Sequence, residues 1–456
     1  MGLTACGREI SSTPEGTIPS VAQSISPRVT RTSTPTSAPE PTRTVAPLNA
    51  GPADLEGLEL QLWHPWIEGD QETALLSLID EFNQTNEWGF TVTASSYGDD
   101  LDPAIRSAVG SNGLPDVTLG TIQQLQSWQN YGNIIVDQFD YVHDPEWGLS
   151  AVEQSDFYPV FWEQDVVNGV RLGMPLYRSA ALLFYNQTWA EELGFDSPPA
   201  TPAGFKEQAC AAAASNNDGS GGWIASSDPA AVMSWLLAYG EDGLTEAGHG
   251  YSFNSSKGQA AFEFIKSMFK SGCAWIPDNP YPGEEFAARR GLFLSSSIAA
   301  LPFQISLFEE AANKDQWTML PFPAEAGDPA INVYGASLAI LESNPERQLA
   351  AWLFIAWLAQ PENQAQFAQA GSYYPARASD LEFLADYATD HPQWSAALDL
   401  IPYGKVEPNF GSWSVARWAL SDAMIQLVNP DFSSEEIPVL LGELDTLLAE
   451  THLQNR

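Results

Sequence analysis

Residues 58–93, LELQLWHPWIEGDQETALLSLIDEFNQTNEWGFTVT, contain the pattern that decides the fold. Residues 58–63 alternate between apolar and polar types, which predicts a β-strand. Residues 71–86 carry leucine, isoleucine and phenylalanine at helical spacing, and residues 90–93 predict a second strand. The order strand, helix, strand is typical of a parallel or mixed sheet that helices cover on both faces.

The same alternation continues along the chain. Residues 116–120 predict a buried strand and 122–130 a helix; 181–185, 223–225, 292–301, 317–322 and 333–341 predict further strands. From residue 345 onward the pattern is nearly all helical, interrupted by prolines. We therefore predict an α/β fold, and a chain of 456 residues suits two domains.

The net charge of the chain limits the kinds of molecule that it can bind. The chain has 58 acidic and 19 basic residues, a formal net charge of -39, which repels the phosphates of nucleic acids and anionic lipid headgroups. We expect no nucleic-acid partner and a weak bias toward neutral or cationic solutes. The longest apolar run, residues 349–359, is about half the ~20 residues of a membrane span and predicts a buried helix.

The first residues resemble a membrane address. Leu3-Thr4-Ala5-Cys6 resembles a bacterial lipobox, in which the cysteine thiol is acylated. The charged and apolar regions that precede such a site are not in the first five residues, so we expect them upstream. We predict lipidation of Cys6; the alternative is an ordinary cysteine near a frayed terminus.

A long polar segment follows. Of residues 11–50, 22 of 40 are Ser, Thr or Pro, and residues 7–57 contain no aromatic residue. Such a segment buries too little apolar surface to offset the entropy of ordering, so residues 1–57 are expected to form a disordered tether. An acylated cysteine, a tether and a globular body together indicate a protein held at the cell surface or in the periplasm.

Two further cysteines, Cys210 and Cys273, lie in segments that we predict to be helical. Thiols of an exported protein face an oxidising environment, where two nearby cysteines pair. We predict a disulfide between them, with two separate buried thiols as the alternative.

Several segments, in order, resemble family 1 extracellular solute-binding proteins of ABC importers, which include the maltose-binding and glycerol-phosphate-binding proteins. The similar segments are 62–66 (LWHPW), 79–83 (IDEFN), 114–118 (LPDVT), 174–177 (MPLY), 182–186 (LLFYN), 286–291 with 294–297, 334–340 (YGASLAI), 350–354 (AAWLF) and 371–377 (GSYYPAR). The resemblance covers roughly residues 58–450. It implies the two-lobed type II periplasmic-binding-protein fold, in which each lobe is a mixed sheet flanked by helices.

The resemblance also implies that the chain crosses between the lobes more than once. We expect residues 58–178 and 335–378 to form lobe 1, and residues 182–332 and 379–456 to form lobe 2. Ligands of such sheets lie beyond the carboxyl ends of strands, in the crevice between elements. The loops at those ends are therefore the candidate ligand contacts.

The first loop contains His64, Trp66 and Glu68. An indole offers a flat apolar surface to the C–H face of a sugar, and a carboxylate accepts hydrogen bonds from hydroxyls. Trp66 can alternatively be a core residue. For a single histidine such as His64, a structural role is more common than contact with a ligand. The second loop offers Gly120, Thr121 and Gln124; capping of the following helix is the alternative for Thr121.

The remaining candidate ligand contacts are implied by the family resemblance or lie at the ends of predicted strands. They are Tyr177, Arg178, Ser179, Ser227, Asp228, Ser296, Ser297, Tyr334, Gly335 and Trp413. The Arg178 guanidinium can donate two parallel hydrogen bonds to an anion or to a pair of hydroxyls. Alternatively, it can form an ion pair between the lobes. The serines can be turn residues, and Trp413 can be a core residue.

The resemblance implies a substrate-binding protein that closes over a sugar or oligosaccharide and delivers it to a membrane permease. We expect a monomer without cofactor or metal. The chain lacks the nucleotide-binding Gly-x4-Gly-Lys-Ser/Thr motif, so we expect the ATPase of the importer to be another chain. It also lacks the Gly-x-Ser-x-Gly elbow and His-Glu-x-x-His, which argues against an enzyme such as a surface glycosidase. A glycerol-phosphate-type solute and a ligand-sensing surface lipoprotein without transport are the alternatives.

Overall fold

A computed structural model describes residues 43–454 except Asn112, Pro280 and Ala326. The predicted lipidation site Cys6 and residues 7–42 of the predicted tether therefore lie outside the described residues. Residues 43–57, which were also assigned to the tether, are described: residues 52–54 form a 3-10 turn, and Leu55 is completely buried in the core of the first sheet. This end of the predicted tether is therefore part of the body, because Leu55 supplies an apolar side chain that the body buries. The body from Val45 onward forms one compact unit.

The strands follow the predicted order. They are β1 Glu59–His64, β2 Thr91–Ser96, β3 Val117–Gly120, β4 Val166–Val167, β5 Val170–Arg171, β6 Met174–Pro175, β7 Ser179–Asn186, β8 Gly221–Ile224, β9 Ala274–Trp275, β10 Gly291–Ser297, β11 Trp317–Leu320, β12 Ile331–Tyr334, β13 Ser337–Ile340 and β14 Gly404–Val406.

The helices between them are mostly short. They are α1 Asp70–Thr85, α2 Leu101–Ala108, α3 Ile122–Gly132, α4 Phe139–Val142, α5 Ala151–Asp156, α6 Pro159–Glu163, α7 Gln187–Glu192, α8 Pro202–Asn216, α9 Pro229–Ala238, α10 Ser256–Lys270, α11 Gly283–Ala287, α12 Leu301–Glu310, α13 Pro345–Leu358, α14 Pro361–Gly371, α15 Ala385–Asp390, α16 Pro392–Leu398, α17 Trp413–Ala416, α18 Trp418–Val428 and α19 Ile437–Gln454.

Helix α1 shows how the local sequence dictates the element. Asp70 and Glu72 lie in its first turn, where the helix dipole favours negative charge. Leu75, Leu78 and Phe82 fall on one face and are completely buried, each contributing about 1.5–3 kcal/mol of hydrophobic stabilisation. That burial fixes α1 against the first sheet and leaves the preceding loop at the edge of the sheet.

Two mixed sheets carry the two lobes. The first has the strand order β2-β1-β3-β13-β6, and the second has the order β14-β12-β7-β10-β8-β9, with β11 also paired to β7. Strand β1 pairs in parallel with both β2 and β3, while β13 is antiparallel to β3. The predicted two-lobed α/β fold is confirmed.

Two of the passages of the chain between the sheets are adjacent, and we call them the crossovers; a further passage lies between β13 and β14. The chain leaves the first sheet after β6 and enters the second at Ser179; it returns between Tyr334 and Ser337. The strand predicted over 333–341 is therefore two strands in two different sheets. Gly335 lies at the break, where an added Cβ atom would be 2.3 Å from the carbonyl oxygen of Tyr177. Only glycine allows the two crossovers to lie this close together.

Two other local expectations are corrected. Residues 298–300 form a 3-10 turn and α12 begins at Leu301, so the strand predicted over 292–301 ends at Ser297. The predominantly helical tail includes the short strand β14, which pairs with β12.

The predicted disulfide is present between Cys210 and Cys273. Cys210 lies on α8, as predicted, but Cys273 follows α10 and directly precedes β9. The bridge therefore joins a helix to the edge of the second sheet.

Candidate ligand-binding site between the two sheets

The predicted loops leave the expected ends of their strands. The loop of Trp66 follows the carboxyl end of β1, and Thr121 follows β3. In the second lobe, Asp228 lies beyond β8, and Ser297 ends β10. Strand β7 runs antiparallel to β10, so Ser179 at its start lies beside Ser297.

An aromatic cluster joins the first loop to the crossovers. Trp66 and Tyr177 are partly exposed, and their ring centroids are 6.0 Å apart. Phe367 lies 5.2 Å from Trp66, and Tyr373 stacks on Tyr177 at 4.1 Å. Two predicted contacts, Trp66 and Tyr177, are thus brought together, and they present aromatic surface at the boundary between the sheets.

Tyr373 links this cluster to helix α1. Burial raises the pKa of its hydroxyl above the ordinary tyrosine value, and the side chains of Gln71 and Trp66 are close enough to oppose that rise. The phenol is therefore neutral at physiological pH and retains both donor and acceptor capacity. Phe367 and Tyr373 were not predicted as contacts, although residues 371–377 contributed to the family resemblance.

A group of hydroxyls lies at the crossovers. The Oγ atoms of Ser179 and Ser297 are 2.9 Å apart, and the Tyr334 hydroxyl is close enough to both serines for them to act on its pKa. Burial raises the pKa of Tyr334, to which the charge of Asp228 also contributes. The structure therefore brings three predicted residues, Ser179, Ser297 and Tyr334, close together.

Other predicted residues cap the helices that follow them or allow those helices to pack. Thr121 and Gln124 form a reciprocal capping box at the start of α3, so the capping alternative for Thr121 describes this structure. Asp228 caps α9 through an Oδ1 that accepts from the backbone N–H of Ala230 at 2.8 Å. An added Cβ atom on Gly120 would meet Leu125 and Trp128, so Gly120 allows packing of α3.

His64 lies under the indole rather than in the open loop. It is 1% exposed, and its ring centroid is 5.9 Å from that of Trp66. Desolvation lowers the pKa of His64, which keeps the ring neutral near pH 7. Glu68 is exposed, whereas Ser227 and Ser296 are partly exposed near the strand ends.

Arg178 occupies a different environment from the one expected of a ligand contact. Its side chain is 1% exposed, and its guanidinium donates to both carboxylate oxygens of Asp165 at 2.9 Å. Further donor positions bind the carbonyl oxygens of Phe161 and Ala336. The guanidinium is therefore a structural connector of the crossovers. It forms an ion pair, but not the predicted one between the lobes, because Asp165 and Arg178 both belong to the residues assigned to lobe 1.

Trp413 is likewise a core residue here. It is completely buried, stacks on Phe253 at 6.0 Å and donates its indole N–H to Glu407 at 2.7 Å. Glu407 also accepts from Asn332 and pairs with Arg417 at 3.2 Å. No sequence signal marked Glu407 or Arg417, because their significance depends on which side chains they meet in space.

The model of the family described as bacterial extracellular solute-binding protein matches residues 77–396, which is more than half of the chain. The chain therefore belongs to the bacterial extracellular solute-binding protein family, whose members are binding proteins and not enzymes.

Among curated sequences, a protein of Brucella abortus strain 2308 described as a binding protein is 22% identical over 275 residues. The match covers 59% of this chain and 65% of the relative.

Solved structures share the fold. The sugar-binding protein MalE from Xanthomonas citri has a TM-score of 0.76 at 21% identity, covering 87% of this chain and 98% of that one. The cyclic α-maltosyl-1,6-maltose binding protein from Arthrobacter globiformis has a TM-score of 0.73 at 18% identity, covering 86% and 99%. UgpB from Mycobacterium tuberculosis, in complex with glycerophosphocholine, has a TM-score of 0.69 at 20% identity, covering 86% and 98%.

Within residues 43–454, leaving aside Asn112, Pro280 and Ala326, the structure contains no helix of the length and apolar character that a membrane crossing requires.

Proposed function

We propose that this chain is the extracytoplasmic substrate-binding lipoprotein of an ABC importer. It captures a sugar or oligosaccharide between the lobes and delivers it to membrane permease subunits. We further propose that residues 58–178 with 335–378 form lobe 1, and 182–332 with 379–456 form lobe 2. The crossovers after β6 and β12 support the bounds near residues 178–182 and 332–335, and the return of the chain to the second sheet at β14 supports a further bound between β13 and β14.

The observation that carries the ligand class is the arrangement around the crossovers. A partly exposed indole, Trp66, follows a strand of the first sheet, and the hydroxyls of Ser179, Ser297 and Tyr334 belong to strands of the second. A sugar has an apolar C–H face and an edge of hydroxyls, so it satisfies both groups at once. The likeness to proteins named for maltose-type sugars supports the same class.

Closure is the proposed mechanism. A solute that contacts both lobes binds the closed form more tightly than the open form, and only that difference in affinity shifts the equilibrium. The closed form then presents a surface that the permease distinguishes from the open one. The proposed contacts are Trp66, Tyr177, Ser179, Ser297 and Tyr334, with Glu68, Asp228, Ser227 and Ser296 at the margin.

A glycerol-phosphate-type solute is the second candidate, supported by the likeness to the glycerophosphocholine complex. A phosphate requires an available cation, but Arg178 binds Asp165 and Arg417 binds Glu407. These pairings favour an uncharged polyhydroxyl ligand. Sensing without transport remains the functional alternative, and transport of the bound solute by intact cells distinguishes the two.

A ligand panel tests the proposal. Sugars, maltooligosaccharides and glycerophosphodiesters are added to the full chain, and thermal unfolding is followed. A ligand at ~100 times its dissociation constant stabilises the chain by about 2.7 kcal/mol. Trp66→Ala should abolish that shift, while Trp88→Ala, on the outside of lobe 1, should retain it. Binding that survives Trp66→Ala would contradict the assigned cleft.

Lipid anchoring at Cys6 is a separate proposal, supported by the lipobox-like residues and the polar segment after them. Expression in a bacterial host behind a lipoprotein leader should place the chain in the membrane fraction with an acylated Cys6. Cys6→Ser should release it. Equal membrane association of both forms would count against acylation.

A further inference from the structure

Lobe 1 carries a second concave surface, away from the crossovers. It is a groove of about 680 Å³ lined by three tryptophans, Trp88, Trp147 and Trp357, together with Glu153 and Asp156. All three tryptophans are partly exposed. We call this feature the tryptophan groove.

Packing holds the three indoles in place. Trp88 stacks on Phe90 at 6.1 Å, and Trp357 lies edge-on to Phe82 at 5.4 Å. The Trp147 backbone carbonyl accepts the indole N–H of Trp352 at 2.8 Å, which fixes the Trp147 loop. The aromatic surface is therefore organised before any ligand arrives, which lowers the entropy cost of binding.

The charge left in the tryptophan groove is negative. Arg377 is 4% exposed, and its guanidinium binds Asp156, the carbonyl of Ala359 and the carbonyl of Glu153. Its charge is thus directed inward and paired. The Glu153 side chain is exposed at the rim, and hydrogen bonds with Ser150 lower its pKa, so it is charged at neutral pH.

The hydroxyl groups of the groove already have partners. Ser155 donates to the carbonyl of Val152, and Ser379 donates to Asp156. A cation with apolar substituents is attracted both by the indole faces and by the Glu153 carboxylate, which has no arginine partner of its own among these contacts.

We propose that the tryptophan groove binds a small organic cation of the quaternary ammonium class. This site is separate from the proposed sugar cleft and does not depend on it. Indoles are the aromatic groups that attract such cations most strongly, and the net charge of -39 favours their approach.

Calorimetric titration of the full chain with choline tests the proposal, with 3,3-dimethylbutan-1-ol as the uncharged isostere. Choline should bind at least about tenfold more tightly than the isostere, because only choline gains the cation–π and carboxylate attraction. Trp147→Leu should weaken choline binding by about tenfold, and Glu153→Gln by a few-fold.

Trp66→Ala is the matched control, since it removes an indole from the cleft and leaves the tryptophan groove intact; choline binding should be unchanged. Circular dichroism and thermal unfolding verify that Trp147→Leu is folded. Equal binding of choline and its isostere, or loss of choline binding in Trp66→Ala but not in Trp147→Leu, would overturn the proposal, as would no binding at all.

Discussion

Arg178 and Asp165 form a completely buried ion pair, with Nη2 2.9 Å from both carboxylate oxygens, beside the crossovers. The same nitrogen contacts Ser337 Oγ at 3.1 Å, at the start of the strand that follows the second crossover. The Arg178 carbonyl accepts the backbone N–H of Tyr374 at 2.8 Å. One residue of the first crossover therefore connects two distant parts of the chain.

Replacing Asp165 tests how much the fold depends on this pair. Asp165→Asn leaves a buried guanidinium without its counter-charge, which costs about 3–5 kcal/mol of unfolding free energy. Urea denaturation measures the loss. Glu285→Gln is the matched control, because Glu285 pairs with the half-exposed Arg290 at 2.9 Å, and a surface pair contributes at most about 1 kcal/mol. Similar losses in both variants would contradict the structural role.

A second contact lies between α3 of lobe 1 and residues 408–411 of lobe 2. The Gln123 side-chain amide donates to the carbonyl of Pro408 at 3.1 Å. An added Cβ atom on Gly411 would lie 2.8 Å from the backbone N and Cα of Ser127. The lobes approach this closely because Gly411 has no side chain.

Gly411→Ala should therefore hold the lobes apart. The closed form becomes less populated, and the apparent affinity for the cleft ligand falls in proportion, by about tenfold for a tenfold loss of population. Small-angle scattering with ligand should show a larger radius of gyration than for the wild type. Gly250→Ala is the control, since its Cβ atom would come no nearer than 3.8 Å to Thr245. Unchanged affinity in Gly411→Ala would refute the closing contact.

The disulfide between Cys210 and Cys273 spans 63 positions of the chain. Closing a loop of that length restricts the unfolded chain enough to stabilise the fold by about 4 kcal/mol in the chain-entropy treatment. The double variant Cys210→Ala, Cys273→Ala should lose a similar amount in guanidinium denaturation, and reductant should then have no further effect. A variant as stable as the oxidised wild type would show that the bridge is energetically neutral.

Asp380 should make stability depend on pH. Its side chain is completely buried, and burial raises the pKa from 3.8 to about 8, with the charge of Asp156 adding to the effect. Between these values the folded chain holds a proton that the unfolded chain has lost, so stability falls as pH rises from about 4 to about 8.

Asp380→Asn should flatten that dependence, measured as the difference in unfolding free energy from the wild type at several pH values. Asp386→Asn, on an exposed carboxylate of α15, serves as the control for charge removal. A wild type and an Asp380→Asn variant with parallel pH profiles would show that Asp380 ionises in the folded chain as it does in the unfolded one.

Much of the fold was predictable from local pattern. In residues 58–130 the burial of one face sets the period of each element, so strands and helices were recognisable from spacing alone. The break at Gly335 could not be predicted from spacing, because β12 and β13 are both apolar and the pattern of residues 333–341 is that of a single strand. The close approach of the Tyr177 carbonyl oxygen, seen only in the folded chain, explains why the residue at this break is glycine.

The candidate site also contains some residues that were predictable from the sequence and others that were not. Trp66 is a candidate because it follows a strand end, where ligands of such sheets bind, and Tyr177 is one because the family resemblance implies contacts at its position. Phe367 and Tyr373 come from about 300 residues further along the chain and reach Trp66 only when α14 packs against α1. Trp413 and Arg178 have suitable chemistry for a ligand, but burial assigns them to the core and to an ion pair.

The α/β class, the family resemblance and the strand ends from which a site is built can be predicted without coordinates, because they depend on periodicity and on residues close together in the chain. The polar and aromatic side chains that remain available to a ligand are known only from the folded chain. Availability depends on the partners that each group meets in space, and in this chain those partners are commonly more than a hundred residues away.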